Sequence, residues 1–438
     1  MMKMFRSRPW LFIGLLACSF LAGCSTTQSG SSTVPSRVPA SATSTAAPTF
    51  GPTTLYLAAG QTVYALDLAT GAKRWTYTTG LPEQSSSGVY GFSAIASTSL
   101  VVYVHNLDDN SLYALKASDG SLQWKVSISK SANDTIYVTS SAIIVGSLFS
   151  QQPTSVVAVD PQSGKTLWTQ SATGPNALLV GSDVIYESYE ASDPYYGKSG
   201  GEVQAVNTTT GAVVWQATGH NFYNLALTNN LLYASGDDAL HAFDARTGQA
   251  VWSHSFNDAT VASQAQAGAY HVGVTQDGST LYLSNGAAVY ALNGATHAVI
   301  WHAGLSEGVI NAKTSGVLCA AGTAAAEGLD PDTGAEKWQA PVLDGYGGVA
   351  DSGICYYPGL GGQISALDAQ TGATRWTFSE DEHTAVLMVY KGTVYVLSLL
   401  FKSGVGNDPV LHALSGSNGS IQWTFDTNSS SAGFMTLG

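Results

Sequence analysis

From residue 53 onward the chain alternates short apolar runs with short polar turns. The clearest run reads Val63-Tyr64-Ala65-Leu66-Asp67, apolar and small in alternation, which predicts a buried strand. A turn containing Thr70-Gly71 follows, then a second strand carrying Trp75. The unit recurs until nine tryptophans have been placed: Trp75, Trp124, Trp168, Trp215, Trp252, Trp301, Trp338, Trp376 and Trp423. Their spacing of 37 to 49 residues is the period of a repeat architecture. Only Trp10 lies outside the series.

The residue types within the unit have separate physical roles. A glycine four residues before each tryptophan supplies the positive φ that a tight turn requires, and His297 in the sixth copy is the one exception. Asp67, Asp160, Asp244, Asp330 and Asp368 open their turns, where a carboxylate accepts from backbone N–H groups two residues on. The strand before each turn has alanine at its third position in eight copies and Gly328 in the seventh. So small a residue leaves room for the tryptophan to pack on it. Further apolar runs, such as Leu55 to Ala58, Ala177 to Val180 and Asn224 to Leu227, bring each copy to four strands.

Four antiparallel strands in about 43 residues make one blade of a β-propeller. The predicted fold is therefore all-β, a ring of four-stranded blades over residues 53–438. The first copy begins at its second strand, and Gly433 to Leu437 is a candidate strand to complete it. Nine blades closed by joining the two ends is the favoured arrangement, with eight as the alternative. A single core stops growing near roughly 250–300 residues, a limit that a ring of small sheets avoids.

The N-terminus reads as a leader. Lys3, Arg6 and Arg8 precede an apolar stretch from Trp10 to Leu21, too short to span a bilayer as a helix. Leu21-Ala22-Gly23-Cys24 resembles the bacterial lipobox, which implies cleavage after residue 23 and lipid on Cys24. Residues 24–52 are rich in Ser, Thr, Ala and Pro and form a flexible tether. The expected location is outside the cytoplasm, anchored to a membrane through lipid.

Charge narrows the partners. The chain carries −13, and loss of the leader leaves 14 basic against 30 acidic residues. That disfavours nucleic acid and anionic headgroups. Cys319 and Cys355 lie in corresponding strands of adjacent repeats; two buried unpaired thiols are the expectation, and a bridge is the alternative.

The pattern A-x-D-x-x-T-G-x-x-x-W, clearest at 65–75, 242–252 and 366–376, resembles the repeat of the pyrroloquinoline-quinone-type propellers. In that family the tryptophan docks between adjacent blades, and the resemblance implies the same here. The quinone-dependent dehydrogenases of the family cover their cofactor with a ring formed by adjacent cysteines, above a calcium ion. This chain has no Cys-Cys pair, its repeats are lean, and none of their active-site residues finds a counterpart. It is more similar in layout to the other branch, the lipoprotein of the outer-membrane β-barrel assembly machinery.

No catalytic, metal or cofactor site is expected. The histidines show no metal-ligand spacing, and the acidic turns Asp108-Asp109-Asn110 and Asp237-Asp238 lack the distal glutamate of a calcium loop. Three connections are long: Ser147 to Ser155, Tyr186 to Glu202 and Leu399 to Pro409. The second holds Tyr189, Glu190, Asp193, Tyr195 and Tyr196, a candidate surface for a protein or polysaccharide partner. The resulting expectation is a monomeric, non-enzymatic binding scaffold. A quinone-dependent dehydrogenase and a barrel-assembly subunit are the alternatives.

Overall fold

The structure is a computed structural model. It describes residues 52–438 apart from 83–90, 129–133, 148–152, 174–176, 190–200, 256–270, 275–278, 343–347, 403–405, 430–432 and several gaps of one or two residues. The described strands form nine four-stranded antiparallel blades, each with its strands adjacent in chain order. The first blade is the exception that closes the ring: Gly433–Leu437 pairs with Thr54–Ala59, which is followed outward by Thr62–Asp67 and Lys73–Thr78. The expected closure by joined ends is what the chain adopts. The sixth and seventh blades share one strand. Val299–Thr314 pairs first with Gly286–Asn293 and then with Val317–Gly322, so it is the outer strand of one blade and the inner strand of the next.

The core is divided into nine apolar layers, one between each pair of neighbouring blades. The closing layer joins Tyr395, Leu397, Leu411, Ala413 and Trp423 of the ninth blade to Leu55, Leu57, Leu66 and Leu68 of the first. This explains why the second strands read as unbroken apolar runs: both faces of Thr54–Ala59 are buried.

Each layer is keyed by the same three positions. Tyr356, Ala366 and Trp376 lie abreast on adjacent strands of the eighth blade, the alanine between the two rings. Both rings reach the ninth blade, where the Trp376 indole N–H and the Tyr356 hydroxyl donate to the Gly416 carbonyl at 2.8 and 3.2 Å. Ala117, Ala245 and Pro331 carbonyls accept the same double contact from the preceding blade. The indole also lies on the next blade's turn glycine. A Cβ added at Gly372, whose φ is +69°, would sit 2.6 Å from the Trp338 ring. The glycine thus serves the turn and the wedge together.

His297 meets both demands differently. It adopts φ 60°, is buried, and stacks its ring on Trp252 at 4.9 Å between centroids. Its Nε2 lies 3.0 Å from the Tyr233 hydroxyl. Burial holds this imidazole below its ordinary pKa. The unfolded chain therefore takes up the proton first, near pH 6.5, so this contribution to stability is complete above that pH and declines as pH falls. Between about pH 7.5 and about pH 5.5 the His297→Gly variant is expected to lose less melting temperature than the parent. The remaining slope comes in part from His254, which is lowered by burial as well. Parallel melting curves would refute the assignment.

The seventh blade departs most from the pattern and corrects the expectation of free thiols. Cys319 stands opposite Gly328, where seven other blades have tyrosine and the third has Ile144. It is bonded to Cys355 in the eighth blade, with the two Cα atoms 6.2 Å apart. Tyr357 of the eighth blade is buried beside it and donates to the Ala320 carbonyl at 3.3 Å. A covalent link and a returning tyrosine thus replace the forward tyrosine clamp at this seam.

Candidate functional site

Because neighbouring strands run antiparallel, the connections alternate between the two faces of the ring. First-to-second and third-to-fourth connections share one face; second-to-third connections and the links between blades share the other.

The first face is nearly uniform. The Asp67 carboxylate accepts from the Ala69 and Thr70 N–H groups at 3.1 and 3.0 Å and from the Thr70 hydroxyl at 2.9 Å. Asp160, Asp244, Asp330 and Asp368 repeat this arrangement, and Asn207 and Asn293 use their amide oxygens in the same way. The Arg74 guanidinium and Thr70 hydroxyl hold the Asp67 carboxyl down to about 2. Each of these acids is engaged by its own turn, so they read as structural.

The second face carries the long connections, which rise from buried polar footings. In the fourth blade Glu187 is fully buried and accepts from the Gln204 amide at 2.6 Å and the Tyr189 hydroxyl at 3.1 Å. Between the first two blades, Asp108 accepts from Gln61 and from the Gly91 N–H, while Asn106 and Thr79 donate to the Gln61 oxygen. In the ninth blade buried Asp408 accepts from the Thr427 hydroxyl and the Ser429 N–H, both at 3.2 Å. His412 lies 2.8 Å from Glu380 and 3.0 Å from Thr424. These bonds fix the strand ends from which the variable segments leave.

The sequence-predicted site residues divide accordingly. Tyr189 was expected in a partner-binding loop. It is instead the last residue of the strand Val184–Tyr189 and is buried, its hydroxyl pushed well up by burial and by Glu187. Glu190, Asp193, Tyr195 and Tyr196 lie outside the described residues, as does Cys24. Leu399 to Pro409 is a hairpin extension rather than an open loop, with Leu399 paired to Pro409 and Lys402 to Gly406. Sequence reading missed the polar footings altogether. Their signal was a carboxylate or amide set within an otherwise apolar strand, as in Ile185-Tyr186-Glu187. Among the described residues no group of His, Cys, Asp and Glu is placed to hold a metal ion.

The class is thus a nine-bladed, tryptophan-keyed repeat propeller with one uniform and one variable face. The chain belongs to the family described as outer membrane protein assembly factor BamB, whose model matches residues 59–222, 236–327 and 322–438. No curated protein matches the chain. Among solved structures, BamB from Moraxella catarrhalis is 16% identical, with 78% of this chain and 89% of that one covered at a TM-score of 0.44. A eukaryotic initiation factor is 8% identical, with 87% and 98% covered at 0.61. A europium-containing methanol dehydrogenase is 16% identical, with 80% and 81% covered at 0.49. At these identities the likeness concerns the fold.

Proposed function

We propose that the chain is a lipid-anchored scaffold outside the cytoplasm, which binds a protein partner through its long-connection face and performs no catalysis. Membership of an assembly-factor family supports a scaffold or assembly role. The observation that carries the finer reading is the position of the chain ends. Thr54 and Gly438 bond each other's backbones at 3.0 and 3.3 Å, and the Leu68 N–H donates to the Thr53 carbonyl at 3.0 Å. The tether therefore enters on the uniform face, beside the turn of the first blade. An anchor at Cys24 would join the ring from that side through the Ser-, Thr- and Pro-rich residues 25–52, a composition whose average reach at that length is roughly 30 Å. The variable face is left free for a partner.

The test is a crosslinking pull-down from native membranes, comparing the parent with a chain lacking residues 190–200. That deletion spares Tyr189 and its bond to Glu187. Loss of one specific crosslinked protein is expected; identical recovery removes the partner reading. Cys24→Ala should move the chain from the membrane to the soluble fraction, and a variant that stays on the membrane removes the anchor.

A further inference from the structure

At five seams the tyrosine clamp ends on a backbone carbonyl. Tyr56, Tyr186, Tyr282, Tyr356 and Tyr395 donate their hydroxyls to Ala117, Ala245, Pro331, Gly416 and Leu68 of the following blade at 2.9 to 3.4 Å. Between the fifth and sixth blades the partner is a side chain instead: Nε2 of His297 lies 3.0 Å from the Tyr233 hydroxyl. A carbonyl accepts a hydrogen bond at any pH, whereas an imidazole accepts one only while it is neutral.

Two more imidazoles stand at the same seam. His254 lies parallel to the Trp252 indole, with 5.8 Å between ring centroids and 6° between planes, and His297 stacks on that indole as well. His302 stacks on Tyr290 of the sixth blade at 5.8 Å, and His254 meets the same tyrosine edge-on. Tyr233, Trp252 and Tyr290 all belong to the apolar layer that joins the two blades, so each of its three large rings rests against an imidazole. Residues 231–236, 250–255, 280–284 and 286–304 hold no Asp, Glu, Lys or Arg. His241 turns the other way, to Phe222 and Phe243 in the layer shared with the fourth blade. Asp244 and Arg246 stand in the fifth blade's turn, where the Asp244 carboxylate accepts from Thr247. The side chains of Asp237, Asp238, Asp258, His271 and Asp277 lie outside the described ones.

We propose that this seam is an acid-sensitive closure, the place where the ring loosens first as the pH falls. Protonation of His297 leaves both ring nitrogens as donors, so the Tyr233 hydroxyl loses its acceptor, and it sets a charge in a buried site. A cation is attracted to the face of an indole, which works in the opposite direction. Burial outweighs that attraction, because it holds His254 and His297 below the ordinary imidazole pKa. Once the seam opens, these imidazoles regain water and take up protons at about pH 6.5. The closed form is therefore fully favoured above that pH. Below it, opening gains up to about tenfold per pH unit for each imidazole. The effect is local, whereas the dependence of melting temperature on His297 concerns the whole ring. It does not depend on the partner proposed for the variable face.

Leu292 is fully buried in this layer, and Leu66 holds the equivalent position in the layer between the ninth and first blades, where the clamp ends on the Leu68 carbonyl. Leu292→Cys and Leu66→Cys report opening of the two seams through the rate at which a maleimide labels the new thiol. The thiol's own pH dependence cancels in the ratio of the two rates. From about pH 7.5 to about pH 5.5 that ratio is expected to rise more than about tenfold, and to stay within about twofold once His254→Gln/His297→Gly is added to Leu292→Cys. Melting curves at the higher pH confirm that each variant folds. Hydrogen exchange of the unmodified chain gives the same comparison without a substitution: residues 286–304 should lose protection on acidification relative to residues 62–78. A ratio that does not change with pH, or a rise that persists without the two imidazoles, overturns the proposal.

Discussion

Trp338→Ala is expected to cost about 3–5 kcal/mol of folding free energy, the range for emptying a buried aromatic site. The indole is 6% exposed, lies on Gly372 of the next blade and donates to the Ala369 carbonyl at 2.8 Å. It is also seated directly over Gly328 of its own blade, where even a Cβ would collide with the ring. The two residues directly against the ring are glycines, which have no side chain to fill the space it leaves. Trp252→Ala should cost less: that ring is only half-buried, and it rests on His297, which can move. Equilibrium denaturation of the two variants gives the comparison. Equal losses would show that the glycine seats do not set the strength of the wedge.

Breaking the Cys319–Cys355 bond is expected to cost about 3–4 kcal/mol, on the chain-entropy model for a link spanning 36 residues. Cys319→Ala/Cys355→Ala should unfold at lower denaturant than the parent, and reductant should shift the parent alone. Both sulfurs are buried, so reduction should follow opening of the seam between the seventh and eighth blades rather than precede it. A parent whose midpoint is unmoved by reductant would show that Tyr357 and the wedge of Trp338 suffice to hold this seam.

Much of the ring could be read along the chain because each blade repeats one local pattern. The turn glycine, the small residue and the tryptophan lie within a few positions of one another. Their contact partners are the same residues one period later. What escaped was whatever depended on how far one blade is displaced against the next. Cys319 takes the tyrosine position, and Cys355 precedes Tyr356, which holds that position in its own blade. The aligned strands alone could not show that these neighbouring heights bring the sulfurs together. Tyr189 was placed in a long connection running from Tyr186 to Glu202, in which polar Glu187 and Ser188 follow the apolar run. Folded, the carboxylate is satisfied by Gln204 and the strand continues to Tyr189.

By itself the sequence determined the repeated strands and turns and the small residue on which each tryptophan packs, and it favoured nine blades closed by joined ends over eight. Those follow from periodicity and residue size, which are local. Only the tertiary structure decided the disulfide, the buried polar footings and the gathering of imidazoles at one seam. Each of these arises where residues far apart in the chain are brought to the same height on neighbouring sheets, and that height is set by packing across the seam.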